Sequence, residues 1–235
     1  MVSNELNACG SRAVYKTKNM NKKQLKQETK LFKTCISNPP KKVYSDRPLI
    51  LYHGTSLSNL EKIKKQGIKP RNKRKSNWID IGISRPNLVY LTNCYACYYA
   101  SASLKKEKDK GVIIKLKIDP KKIKLYLDEE FIYHLLNYNK VSSKQEAMDL
   151  YNTIDPKNTN TFINKNLKRI PIWQDSLNFM GTVSCDYIPI ENIIGYSILD
   201  RPGLYYCDPT INPLNYKIMS GVYINYLKKL KYKKL

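Results

Sequence analysis

The 235-residue chain predicts an α+β domain. Three observations carry that reading. Runs rich in β-branched, aromatic and aliphatic residues have strand length at 48–55, 88–92, 111–118, 182–188 and 195–199. Short segments with helical start and stop signals lie between them. Hydrophobic residues make up 42% of the chain, enough for a sizeable core in one domain of this length.

Residues 1–47 are polar and basic. A helix is expected from Asn21 to Cys35, with a thin apolar face of Leu25, Leu31, Phe32 and Cys35, ended by Pro39-Pro40. It would be either a nucleic-acid contact or a solvated helix lying on the domain. Leu49-Ile50-Leu51-Tyr52 is an apolar run that ends on His53, followed by Gly54-Thr55-Ser56. This reads as a strand delivering a histidine to the mouth of a cleft. The chain has only two histidines; the other, His134, sits in an ordinary helical pattern. Ser58 and Glu61 have capping-box spacing, Leu60 and Ile63 face inward, and Gly67 and Pro70 end the helix 58–66.

The loop 71–87 is basic, with Arg71, Arg74 and Arg85, and carries Trp78. Its length is of the kind often found at functional sites. Val89-Tyr90-Leu91-Thr92 reads as a strand, Asn93 as a cap, and 94–104 as a tyrosine-rich helix. Residues 111–118 form the clearest strand, alternating in its second half, and Asp119-Pro120 ends it. A short extended run follows at 123–127. Asp128-Glu129-Glu130 then opens a helix to about Asn137, its acids at the positive end. Another helix is expected at 143–151, a polar loop at 155–166, an extended segment at 170–173, and strands at 182–188 and 195–199. A tail with many tyrosines ends in a basic helix, Tyr226 to Leu235. The division is a basic arm at 1–47, a central domain at 48–200 and an extension at 201–235 packed on it.

Lys+Arg 42 against Asp+Glu 19 gives a formal charge of +23. Such a field draws in polyanions, nucleic acid first among them. A lysine-rich composition inherited from an AT-rich genome is the plainer alternative. No apolar leader opens the chain and no run reaches the ~18 apolar residues of a membrane span. The expectation is an intracellular protein, cytoplasmic or nuclear, with its six cysteines reduced. Cys94 and Cys97 have CxxC spacing but lack a second pair, so no metal site is expected. There is no internal repeat and no glycine-rich phosphate loop.

The order of these pieces resembles the ADP-ribosyltransferase superfamily. Within it, the likeness is to the branch holding poly-ADP-ribose polymerases, DNA-modifying toxins and RNA 2′-phosphotransferases. The matching residues are Leu51-Tyr52-His53-Gly54-Thr55-Ser56, Asn59-Leu60, Ile63, Gly67-Ile68, Pro70, Val89-Tyr90-Leu91-Thr92 and Tyr99-Ala100, with an echo at Ile188-Pro189-Ile190-Glu191-Asn192-Ile193. They span about residues 48–199. The resemblance implies split antiparallel sheets with flanking helices, clamping NAD, as substrate, in a cleft. His53 would hydrogen-bond the NAD, Gly54 would offer backbone to the carboxamide, and Thr55 or Ser56 would donate nearby. Tyr90 would stack on the nicotinamide, with Tyr98 or Tyr99 closing the pocket. An aromatic face suits a cationic ring, and fixing ring and ribose supplies orientation.

The chain departs from the family where a glutamate belongs, at the head of a late strand. Residues 176–182 carry no acid, and Asn178 or Gly181 takes the slot; Asn178 is therefore the third catalytic candidate. Asp175 and Asp186 flank it, while Glu129 and Glu130 are remote in sequence. Three outcomes follow: another acid such as Asp175, a transferase that holds an acceptor phosphate with basic residues, or an inactive module that binds nucleic acid or a protein. Arg71, Arg74 and Arg85 are the candidate phosphate holders. The leading expectation is an NAD-dependent ADP-ribosyltransferase acting on nucleic acid. An RNA 2′-phosphotransferase-like enzyme and an inactive module are the alternatives.

Overall fold

The computed structural model describes residues 47–71, 84–103, 109–136, 144–158, 171–199 and 227–235. The expected helix 21–35, Arg74, Trp78 and the stretch 201–226 lie outside them. The elements are β1 (Leu49–Ser56), α1 (Leu57–Gln66), β2 (Val89–Thr92), α2 (Ala96–Ala102), β3 (Gly111–Ile118) and β4 (Leu125–Tyr126). There follow α3 (Glu129–Leu136), α4 (Lys144–Thr153), α5 (Trp173–Met180), β5 (Thr182–Cys185), a 3-10 turn (Ile190–Asn192) and β6 (Ile193–Ile198). The strands form one antiparallel sheet in the order β4-β5-β2-β1-β3-β6.

Pairing is uneven across that sheet. β1 and β3 are in register from Leu49↔Ile118 to Ser56↔Gly111, the whole length of both. β1 and β2 share one pair, Tyr52↔Thr92. The sheet is continuous, but its β4-β5-β2 and β1-β3-β6 leaves share only this register pair, and they are also held by one core containing Leu51, Leu116, Leu91 and Val183. Alternation sends Leu51, Ile114 and Leu116 to one face, where Leu60 and Ile63 of α1 cover them. Tyr52 and Ile113 point to the other face, against Ala96, Cys97 and Ala100 of α2 and Leu227 of the tail. β3 is buried on both faces in its first half and alternates after that, as its sequence pattern requires.

Local signals were overridden in four places. The cap of α1 is Ser56, not Ser58. Because β1 stays paired with β3 to its end, the chain enters α1 directly, and Leu57 N donates to Lys110 O at 2.8 Å. Ser58 instead gives its backbone N–H and its hydroxyl to Asp109, at 3.3 and 2.9 Å, and Glu61 pairs with Lys64. Thr92, rather than Asn93, caps α2: its hydroxyl accepts from Cys94 N and Tyr95 N at 3.1 and 2.9 Å. Residues 173–180 are a helix, started by Asp175, whose carboxylate accepts from Ile172 N at 2.8 Å. Of the described tail, 227–235, only 227–229 is helical. Lys233 then pairs with Tyr196, N to O and O to N at 2.8 and 2.9 Å, and covers the edge of β6. That approach needs Gly195, where a Cβ would lie 2.5 Å from Lys233 O. Among the described residues, no helix is long and apolar enough to cross a membrane.

Candidate functional site

β1 carries His53 to the join between the leaves, one residue past the Tyr52↔Thr92 pair. Its Nδ1 lies 2.9 Å from Tyr90 O. A carbonyl only accepts, so Nδ1 holds the proton and Nε2 is left as an acceptor. Burial pushes the imidazole pKa down, opposed by the bond to Tyr90, so the ring is neutral at physiological pH. His53 and Tyr90 are thus linked through a backbone carbonyl. Their side chains leave alternate faces of the sheet, since Tyr90 shares its parity with Thr92 and Tyr52.

The Tyr90 side chain has its own partner. Its phenol donates to Glu129 Oε1 and accepts from Arg85 N at 2.6 Å, and Arg85 N also lies 3.3 Å from Glu129 Oε1. Topology explains the meeting. β4 pairs with β5 and β5 with β2, with Tyr126, Ser184 and Tyr90 in one row, so the chain leaving β4 starts α3 two strands from Tyr90. Ser184 Oγ donates to Leu127 O at 3.1 Å, and Asp128 N to Ser176 Oγ at the same distance, fixing the turn. Glu129 is 1% exposed, and its second oxygen, Oε2, has no hydrogen-bond partner among the described residues. Burial raises the Glu129 pKa, while the Tyr90 hydroxyl and Arg85 pull it back. Asp128, also buried, is raised well above the usual range by burial and then by the charges of Glu129 and Glu130. Burial, and after it the neighbouring acids, raise the Tyr90 and Tyr99 phenols. Arg71 gives its guanidinium to Ser84 O; burial lowers its pKa, opposed by Tyr90 and Glu129.

The other candidate residues divide. Gly54 is fixed by packing: a Cβ there would lie 2.2 Å from Ala96 O and 2.4 Å from Ala100 N. The Thr55 and Ser56 hydroxyls both accept from Asn59 Nδ2, at 3.3 and 3.1 Å, and serve the β1–α1 turn. Tyr98 and Tyr99 meet edge to face at 5.5 Å on α2. Asn178 lies on α5, not at the head of a strand, and no hydrogen bond joins it to His53, Tyr90 or Glu129 among the described residues. Asp175 is engaged in its cap. Asp186 is exposed, held by Tyr126 at 2.7 Å and by Lys157. Cys94, Cys97 and Cys185 are buried thiols, and no described cluster of His, Cys, Asp and Glu would hold a metal ion.

The residue that sequence reasoning passed over is Glu129. Its signal was an acidic run at a helix start, which the helix dipole explains without any site. Nothing local links it to Tyr90, 39 positions earlier. A comparison of the chain with protein-family models, curated proteins and solved structures finds no match.

Proposed function

We propose that the chain is an NAD-dependent ADP-ribosyltransferase with a nucleic-acid acceptor. The observation that supports it is the position of Tyr90 beside the single β1–β2 register pair, its carbonyl accepting from His53 and its phenol donating to the buried Glu129. In this reading Glu129 supplies the acid that residues 176–182 lack. Its orphaned Oε2 is a buried acceptor awaiting a donor.

The chemistry is a substitution at the ribose C1′ of NAD. The bond to the nicotinamide nitrogen breaks, and the ring leaves neutral with the electron pair. The positive charge on the ribose is met by the Glu129 carboxylate. An acceptor nitrogen or oxygen then bonds to C1′ and loses its proton to that carboxylate. His53 Nε2 accepts from a ribose hydroxyl, the Gly54 backbone faces the carboxamide, and Tyr98 or Tyr99 covers the ring. The Arg71 guanidinium, bonded to Ser84 O next to Arg85, whose amide meets Tyr90 and Glu129, would equally hold a phosphate. That favours the RNA 2′-phosphotransferase-like reading as the second choice.

The test is nicotinamide release from labelled NAD, with and without single-stranded DNA or RNA. Release is expected from the wild type, lost in His53→Ala and reduced about 10²-fold or more in Glu129→Gln. Loss of phosphate from a 2′-phosphorylated RNA would select the second reading. Absence of both NAD binding and nicotinamide release would overturn the proposal.

A further inference from the structure

We infer that the edge of the sheet formed by β6 and the tail 227–235 is the track along which a single nucleic-acid strand is held. This deepens the proposed function by locating its acceptor, and it rests on that reading. Three observations carry it. First, the tail has Lys228, Lys229, Lys231, Lys233 and Lys234, all exposed, and no acidic side chain. Its backbone is fixed rather than trailing: Leu227 is fully buried, the Tyr232 hydroxyl donates to Leu227 O at 2.9 Å, and Lys233 pairs with Tyr196.

Second, lysines on both sides of this edge are laid over tyrosine rings. Lys115 Nζ lies 4.9 Å from the centre of Tyr232, and Lys64 Nζ 5.1 Å from that of Tyr196. An ammonium held on a ring has already lost much of its freedom, so less entropy remains to be lost on meeting a phosphate. Lys64 also pairs with Glu61 at 2.8 Å, the one ion pair at this edge among the described residues. Third, the edge is near the site. Tail, β6, β3 and β1 are successive neighbours, so three strand spacings, about 14 Å, separate Lys233 from the line of His53. Tyr232 stacks on Tyr52, the residue before His53, at 6.3 Å.

The geometry selects the partner. Lys64 and Lys115 lie on opposite faces of the sheet, because Tyr196 shares the face of Ile114 while Lys115 alternates to the other. A flat anionic bilayer meets only one face, and a stiff duplex cannot turn round the edge. A flexible single strand can follow both faces, drawn by its phosphates.

The experiment measures binding of a labelled mixed-sequence single strand to the full chain, without NAD, across a salt series. Two variants lose equal charge. One is K228Q/K229Q/K231Q/K234Q; the other, away from the edge, is K69Q/K121Q/K122Q/K124Q, all exposed positions. The tail variant is expected to bind about tenfold or more weakly, with its log–log salt slope shallower by up to about 3, at about 0.7 for each phosphate no longer neutralised. The distal variant is expected to stay within about twofold of the wild type. Equal losses in both variants would overturn the inference, as would an unchanged tail variant, or a wild type that binds anionic vesicles or duplex in preference to the single strand. Nicotinamide release without oligonucleotide, measured in parallel, reports on the His53 site alone, so failure of the track and failure of the chemistry are told apart.

Discussion

Gly54→Ala probes the seam between β1 and α2. The added Cβ would sit 2.2 Å from Ala96 O, 2.4 Å from Ala100 N and 2.9 Å from Tyr99 C, where ordinary contact begins at 3.4 Å. All three are backbone atoms, so no rotamer change relieves the clash, and α2 as a whole must retreat by about 1 Å. Overpacking of this kind costs about 1–3 kcal/mol, and an immovable helix backbone argues for the upper end. For a chain of this size that is a melting point lower by about 6–12 °C. Gly111→Ala is the internal control, since it faces the same helix. There the nearest atoms are Leu199 Cδ1 at 3.1 Å, the tip of a flexible side chain, and Ala100 Cβ at 3.3 Å, which needs a shift of only about 0.1 Å to reach ordinary contact. Thermal melts followed by far-ultraviolet circular dichroism should place Gly111→Ala within about 2 °C of wild type, well above Gly54→Ala. Equal melting points for the two variants would refute the seating of α2 on β1, and with it the placement of Tyr98 and Tyr99.

Other variants test the remaining joints. Tyr90→Phe removes a bond to a buried carboxyl and should cost about 1.5–3 kcal/mol in a denaturant titration. Because that bond holds the Glu129 pKa down, the acidic limb of nicotinamide release should also move to higher pH. Asp128 and Glu129 are raised in the fold, so the folded state binds more protons than the unfolded one. Their contribution is therefore favourable at low pH and is lost as pH climbs from the ordinary carboxylate range through the raised values. Melting points measured upward from about pH 4 should fall more steeply for wild type than for Asp128→Asn; parallel curves would count against a buried acid pair. Leu227→Ala, at a fully buried position under the tail, should cost about 2–5 kcal/mol by the same titration.

The sequence disclosed what is local. The run ending on His53, the glycine stop at Gly67 with φ of 70°, and the change from double burial to alternation in β3 are all written in neighbouring residues. It was misleading where a distant partner outbid a nearby one. Ser58 has the spacing of a cap, but Asp109, 51 positions away, takes its hydroxyl. Asn93 is a good capping residue, but Thr92 already stands at the helix entrance with its hydroxyl turned to the inner side. Ile170-Pro171-Ile172-Trp173 looks extended because the start signal for α5, Asp175, comes after it. Of the candidate site, the strand positions of His53 and Tyr90 were legible in the sequence. Glu129 was not, because its meeting with Tyr90 depends on β4 lying beside β5, a pairing of two-residue length that no periodicity announces.

Thr92 is where these threads cross. It makes the sole register pair between the leaves, receives two amides from the start of α2, and donates to Gly181 O at 2.7 Å at the end of α5. In mechanical terms it is a rivet whose hydroxyl serves three segments at once, so a change there is felt in β2, α2 and α5 together, while the bond from His53 Nδ1 to Tyr90 O and a shared core tie the leaves beside it.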